Sequence, residues 1–225
     1  MNGWKRAKKI IIALLVFLSL FVGLPAITFG VLQHWQVIFL LLSYIVFFLA
    51  TIWRAARYGK LAKTTEDEQY KRPIGRLILA VSFFGIWAVH WLAIYDLSRN
   101  KTTNIVYLEM VGISLIIIAI IINQAAISKL KNLFDRITVK SDRQLITNGI
   151  YRLVRHPIYL SYLLLFSGCC TLLHGSLFTF ILMCLVCGIW LNNRIAIEEE
   201  MLIARFGEQY KEYQRKTRKI IPFIY

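Results

Sequence analysis

Charge is scarce in this chain. Asp, Glu, Lys and Arg together make up 17% of the 225 residues, hydrophobic residues 58%, and the mean hydropathy is +0.59. That balance excludes a water-soluble globule. Acid is scarcer still, with 12 Asp+Glu against 27 Lys+Arg and a net charge of +15. In a soluble protein such an excess would suggest nucleic acid, but here the basic residues sit between long apolar runs, so the phosphates they meet are those of membrane lipids and no nucleic-acid partner is expected. A Gly-x-Gly-x-x-Gly turn after a strand is missing, and with it the usual soluble nucleotide-binding sheet. The four cysteines, Cys169, Cys170, Cys184 and Cys187, all lie inside apolar stretches, where a thiol packs as a small apolar group. The Cys184-x-x-Cys187 spacing has no second ligand pair, so no metal site is expected. Internal repeats, low-complexity tracts and flexible linkers are also lacking.

Six apolar segments are present, at about 10–30, 35–53, 77–96, 105–124, 157–173 and 175–192. A hydrocarbon core needs about 20 helical residues, and the first four segments reach that length. The last two are marginal and are separated by the turn-like His174-Gly175, so they read as a tight helical hairpin. Unbroken apolar runs select helices over a barrel, because in lipid every backbone polar group must be paired internally. The expected fold is therefore all-α: a polytopic membrane helical bundle followed by a C-terminal cytoplasmic amphipathic helix. Residues 1–139 would supply the N-terminal transmembrane helices and 140–225 the functional half of one integrated membrane domain.

Basic residues set the orientation. Lys5, Arg6, Lys8 and Lys9 precede the first segment, whose apolar stretch is longer than that of a cleaved signal peptide and reads as a retained anchor. Of the 27 Lys+Arg, 25 fall on one side of a six-crossing layout, and only Arg99 and Lys101 fall on the other. That asymmetry predicts cytoplasmic termini, and Trp4, Trp35, Trp53 and Trp190 fall near segment ends as an interfacial belt would. Glu109 and His90 are ionisable groups in or near apolar segments. Glu109 stands about one turn from a segment end and can reach the interface, and His90 reads as a neutral, hydrogen-bonded histidine between helices.

Two other stretches carry chemistry. The first, Leu145-Ile-Thr147-Asn-Gly149-Ile-Tyr151-Arg-Leu-Val-Arg155-His156-Pro157-Ile-Tyr159, ends where the hairpin begins. Pro157 suits the first position of a helix, where its missing N–H costs nothing, so Arg155 and His156 should stand at a helix N-terminus. The second runs from Arg194 to Tyr213. Ile195, Leu202, Phe206, Tyr210 and Tyr213 recur at helical steps and predict one apolar stripe. Glu198 falls on that stripe and Glu199 borders it, whereas solvated glutamates belong on the opposite face. Arg194 lies four residues before Glu198, close enough to meet it. Because the hairpin brings the chain back to its starting side, His156 and Arg194 should be neighbours at the cytoplasmic interface, 38 positions apart in sequence.

The spacing Leu145-x-Thr147-x-Gly149-x-Tyr151-x-x-x-Arg155-His156-Pro157-x-Tyr159, followed after a hydrophobic hairpin by Arg194-x-x-x-Glu198-Glu199-x-x-Leu202-x-x-x-Phe206-Gly207-x-x-Tyr210-x-x-Tyr213 and Ile221-Pro222, resembles the isoprenylcysteine carboxyl methyltransferase family of integral membrane enzymes. It is also similar to the related phospholipid N-methyltransferases. The likeness covers roughly residues 140–225. It implies S-adenosylmethionine as methyl donor, held by Tyr151, Arg155, His156, Pro157, Tyr159 and Glu199, with Arg194 and Glu198 as catalytic residues facing the reacting centre. It also implies a lipophilic or membrane-presented acceptor: an isoprenylcysteine-like carboxylate, a lipid amine or a small thiol. Ser161 departs from the glycine the family often carries there, which narrows the space beside the cofactor.

The residue types agree with that chemistry. A sulfonium cation is favoured by carboxylate charge and aromatic faces. A carboxylate acceptor is already nucleophilic and could be oriented by Arg194, whereas an amine, thiol or phenol would need Glu198 or His156 as base. A sterol-type double-bond reductase has a similar arginine-histidine-proline-x-tyrosine pattern and uses NADPH, but the acidic pair opposes a phosphate-rich dinucleotide. A non-catalytic membrane module would need none of these acids.

Overall fold

A computed structural model describes residues 3–58, 73–99, 106–130 and 145–221. The stretches 59–72 and 131–144, which hold 8 of the 25 basic residues counted on one side, lie outside the described residues, as do 100–105 with Lys101 and the expected domain boundary near 139–140.

The regular structure among the described residues is helical, with one isolated bridge between Val154 and Arg218 and no sheet. Helix α1 (Gly3–Leu18) passes through a π-turn at Ser19–Gly23 into the short α2 (Leu24–Thr28). The wide turn sits where Pro25 would otherwise crowd the preceding helix, and the Leu20 carbonyl at this turn accepts a hydrogen bond from Trp91 Nε1 at 3.2 Å. Then follow α3 (Trp35–Tyr58), α4 (Pro73–Arg99), α5 (Val106–Lys129), a 3₁₀ turn at Gly149–Arg152, α6 (Pro157–Leu172), α7 (Leu177–Phe206) and α8 (Glu208–Lys216).

Five of these stretches are long and apolar enough to cross a bilayer: Ala7–Thr28, Trp35–Trp53, Gly75–Arg99, Val106–Lys129 and Leu177–Phe206. The sixth apolar segment, α6, has 16 residues, about 24 Å of helix, and falls short of a full span. Phe21, Leu40, Tyr44, Phe47, Ile94, Leu165, Leu172, Met183 and Leu191 fill the interior, while Leu42, Val81, Phe84, Ile121, Leu185 and Ile189 stay exposed on the outside. An apolar exterior around an apolar core is what a lipid solvent requires. All four cysteines are free thiols, three of them buried among these side chains.

Tight seams hold the bundle. Gly112 of α5 backs onto α6 so closely that a Cβ there would lie 2.5 Å from the Leu172 backbone nitrogen, and Gly168 of α6 answers it, 3.0 Å from the Gly112 carbonyl. Small residues at such a crossing let two backbones meet and gain dispersion contact where no hydrophobic force acts between helices. His90 is fully buried: its Nδ1–H donates to the Ile86 carbonyl at 2.7 Å, leaving Nε2 to accept from the Tyr44 hydroxyl. That arrangement is the neutral, interhelical histidine expected from sequence.

The C-terminal region departs from the sequence reading in two ways. The hairpin helices are not similar in length, since nothing between 192 and 206 breaks the helix and α7 runs for 30 residues. The stripe from Ile195 to Tyr213 does not lie on one helix either. It is cut at Gly207, whose φ of +53° and ψ of −127° turn the chain into α8.

Candidate functional site

The start of α6 and the last third of α7 meet at one end of the bundle. His156 precedes Pro157, which forces it out of helical geometry, to φ −123° and ψ 60°. Its carbonyl still accepts from Leu160 N and opens the helix. The imidazole is buried and stands between two carboxylates: Nε2 lies 3.2 Å from Glu199 Oε1 and Nδ1 lies 3.7 Å from Glu198 Oε2. Arg155 Nε donates to the same Glu199 Oε1 at 2.9 Å. The Tyr159 ring stacks on the imidazole with centroids 5.6 Å apart and planes 24° apart.

Arg194 completes the cluster. Its guanidinium lies 5.9 Å from the centre of the Tyr159 ring and 5.8 Å from that of Trp190, within cation–π range. Arg194 and Glu198 are the charged groups that face Tyr159. Trp190 continues an aromatic wall into the bundle, 5.6 Å from Tyr162, which in turn packs 5.2 Å from Phe47 of α3.

Five of the eight site residues expected from sequence, Arg155, His156, Tyr159, Glu198 and Glu199, are joined by direct contacts, and Arg194 joins them through the Tyr159 ring. Pro157 contributes by starting the helix. Tyr151 enters through its backbone, since its carbonyl accepts from the Tyr213 hydroxyl while its own ring is buried. The two glutamates differ. The Glu199 side chain is 13% exposed and its Oε1 takes donors from Arg155, His156 and, at 3.5 Å, Tyr210, whereas Glu198 is 30% exposed. Glu199 is thus fixed through Oε1, and Glu198 is the more open carboxylate. Ser161, the departure from the family pattern, turns its hydroxyl back onto the Ile158 carbonyl at 2.6 Å.

Sequence reasoning missed the segment that closes the cluster. Tyr210 and Tyr213 read as apolar stripe, yet each spends its hydroxyl on the site, and both rings are buried. Burial, together with the Glu199 charge, raises the Tyr210 phenol above its usual range, and burial pushes Tyr213 up to about 12. Beyond α8 the chain lies alongside Val154–His156: Arg155 N donates to the Arg218 carbonyl at 2.8 Å and His156 N to the Lys219 carbonyl at 3.1 Å. A pairing of only two hydrogen bonds leaves no periodicity in sequence.

Residues 110–204 match the family described as the isoprenylcysteine carboxyl methyltransferase (ICMT) family. A probable protein-S-isoprenylcysteine O-methyltransferase of Oryza sativa subsp. indica is 34% identical over 121 residues, 52% of this chain and 63% of that protein. The protein-S-isoprenylcysteine O-methyltransferase of Schizosaccharomyces pombe is 37% identical over 83 residues, 37% of this chain and 35% of that one. Methanethiol S-methyltransferase 1 of Bradyrhizobium diazoefficiens is 35% identical over 74 residues, 33% of this chain and 25% of that one. The chain thus spans less than two thirds of the length of each of these relatives. The match includes the turn at Arg155-His156-Pro157, the hairpin and both glutamates, set within a multi-pass bundle of membrane helices.

Proposed function

We propose that this protein is an integral membrane methyltransferase that uses S-adenosylmethionine and transfers the methyl group to a lipophilic or membrane-presented acceptor carrying a carboxylate or a thiol. The observation that carries the reading is the His156 imidazole held between Glu198 and Glu199 at the base of an apolar hairpin, beside an aromatic face and a guanidinium.

The residues fit the cofactor. Its chemistry is a methyl group on a cationic sulfur, with hydroxyl and amino donors on the same molecule. Glu199 Oε2 can accept from such donors while Oε1 stays fixed by Arg155 and His156. The ring of Tyr159 and the more open carboxylate of Glu198 offer a cation an aromatic face and a countercharge. Arg194, supported by Tyr159 and Trp190, is placed to orient an acceptor carboxylate by paired hydrogen bonds. For a thiol acceptor, Glu198 would take the proton. The aromatic wall of Trp190, Tyr162 and Phe47 favours an apolar acceptor tail, and alignment of the partners with exclusion of water does the rest.

Within this reading residues 140–225 carry the cofactor and the chemistry, residues 1–139 form the membrane scaffold, and both termini are cytoplasmic. Purified full-length protein in detergent should bind labelled S-adenosylmethionine, and His156→Ala and Glu199→Ala should each weaken binding by about 10- to 100-fold, the usual effect of losing a charge-assisted hydrogen bond. A wild type that ignores the cofactor and binds NADPH tightly would replace this reading with the reductase one.

A further inference from the structure

Family likeness assigns Arg155 to the cofactor, but its side chain is already engaged within the protein. Nε donates to Glu199 Oε1 at 2.9 Å, and Nη1 donates to the main-chain carbonyls of Gln214 and Thr217. The side chain is only 10% exposed, and its backbone N–H is taken by the Arg218 carbonyl. We infer that Arg155 is a positioning residue: it locks Glu199 by one oxygen and fastens the closing segment 207–220 over the site, instead of contacting the cofactor.

Three observations on different elements converge on this. Glu199 Oε1 takes donors from Arg155 and His156 in the turn before α6 and from Tyr210 of α8, which fixes the carboxylate through that oxygen. A guanidinium fork is the side chain that can hold a carboxylate and two carbonyls at once. The closing segment is also held by Tyr213 to the Tyr151 carbonyl, by Tyr210 to Glu199 and by the short pairing at Val154 and His156, and Arg155 is the side chain that joins this segment to the site carboxylate.

The inference rests on the proposed cofactor for one of its two tests. In a double-mutant cycle on S-adenosylmethionine affinity, Arg155→Gln and Glu199→Gln should each weaken binding at least 10-fold, and the double variant should be within about twofold of Glu199→Gln alone. Effects that multiply would mean that Arg155 touches the cofactor itself, and would overturn the inference. The second test needs no cofactor. Trypsin should cut after Lys216, Arg218 or Lys219 at least 10-fold faster in Arg155→Gln than in wild type, while Glu199→Gln, which leaves both carbonyl bonds in place, stays protected. Arg155→Lys keeps the charge without the fork and should be cut as fast as Arg155→Gln, which covers the case of a poorly folding glutamine variant. Cleavage at the wild-type rate in both variants would sink the fastening, whereas absent cofactor binding by wild type would sink only the proposed function.

Discussion

Glu109 and His174, 65 residues apart in sequence, meet through a 2.9 Å hydrogen bond from His174 Nε2 to Glu109 Oε1 at the end of the bundle opposite the candidate site. Gln36 Nε2 donates to the same oxygen at 2.8 Å, so α3, α5 and the turn between α6 and α7 converge on one carboxylate. Asp96 of α4 holds the other side of that turn, accepting from Ser176 N and Thr179 Oγ1. Glu109 does lie at a helix end, as its position in the sequence indicated, and it acts there as a structural tie.

Removing that tie should loosen the hairpin. Glu109→Gln leaves His174 and Gln36 without their anion and should destabilise the protein by about 1–3 kcal/mol, less than for a fully buried pair because both side chains retain some exposure. The check is a lower unfolding midpoint in detergent. His174→Asn, which tolerates the φ of +56° at this position, should show a loss of similar size, so that the side-chain hydrogen bond and not the backbone is what is measured.

The seam between α5 and α6 allows a sharper contrast. Gly112→Ala drives a methyl group into the Leu172 main chain and should cost about 1–3 kcal/mol, while Gly188→Ala, with nothing within 4 Å of its added carbon, should be neutral or slightly stabilising. Thermal unfolding of the two variants side by side decides it.

Alkaline pH should release the closing segment before it melts the bundle. The Tyr213 phenol is pushed up to about 12, so its neutral form is favoured in the fold. A raised value of this kind gives stability that is complete below the unfolded value of about 10 and is lost as pH climbs from about 10 towards 12. Tyr210, raised in the same direction, adds to the effect. Tryptic cleavage near Lys216 should therefore accelerate over that window, and Tyr213→Phe, which strips the Tyr151 carbonyl of its donor, should be cleaved faster already at neutral pH.

The two glutamates should separate in kinetics. Glu199→Gln should act on cofactor affinity. Glu198→Gln removes a countercharge from the cofactor's cation and should weaken its binding less than Glu199→Gln does, while its effect on turnover should report the acceptor: a loss of about 10²- to 10⁴-fold with a thiol that needs a base, and a much smaller loss with a carboxylate. Measuring both variants with a thiol and with a prenylated cysteine carboxylate gives the answer.

The helices and the halves of the site were legible because membrane physics leaves a strong imprint: long apolar runs, Pro157 at a helix start, and glutamates on the wrong face of a helix. Chain return through His174-Gly175 was enough to bring His156 to Glu199. Other features left no such imprint. The length of α7 depends on where the helix finally breaks, and Gly207 competed with a stripe that ran on unbroken past it. Spacing along the helix could bring Arg194 near Glu198, but nothing in it marked Tyr159 of the other leg as the ring that faces both. The partners of Arg155 are mostly main-chain carbonyls, which every residue has and no sequence pattern marks.

One hairpin bears the imidazole on its first leg and both carboxylates on its second, so a tilt of that hairpin as a rigid body carries the reacting groups along together. On the proposed function, shifts of the surrounding helices relative to this hairpin would leave the spacing of imidazole and carboxylates unchanged, so that acceptors of different bulk would meet the same arrangement of charges.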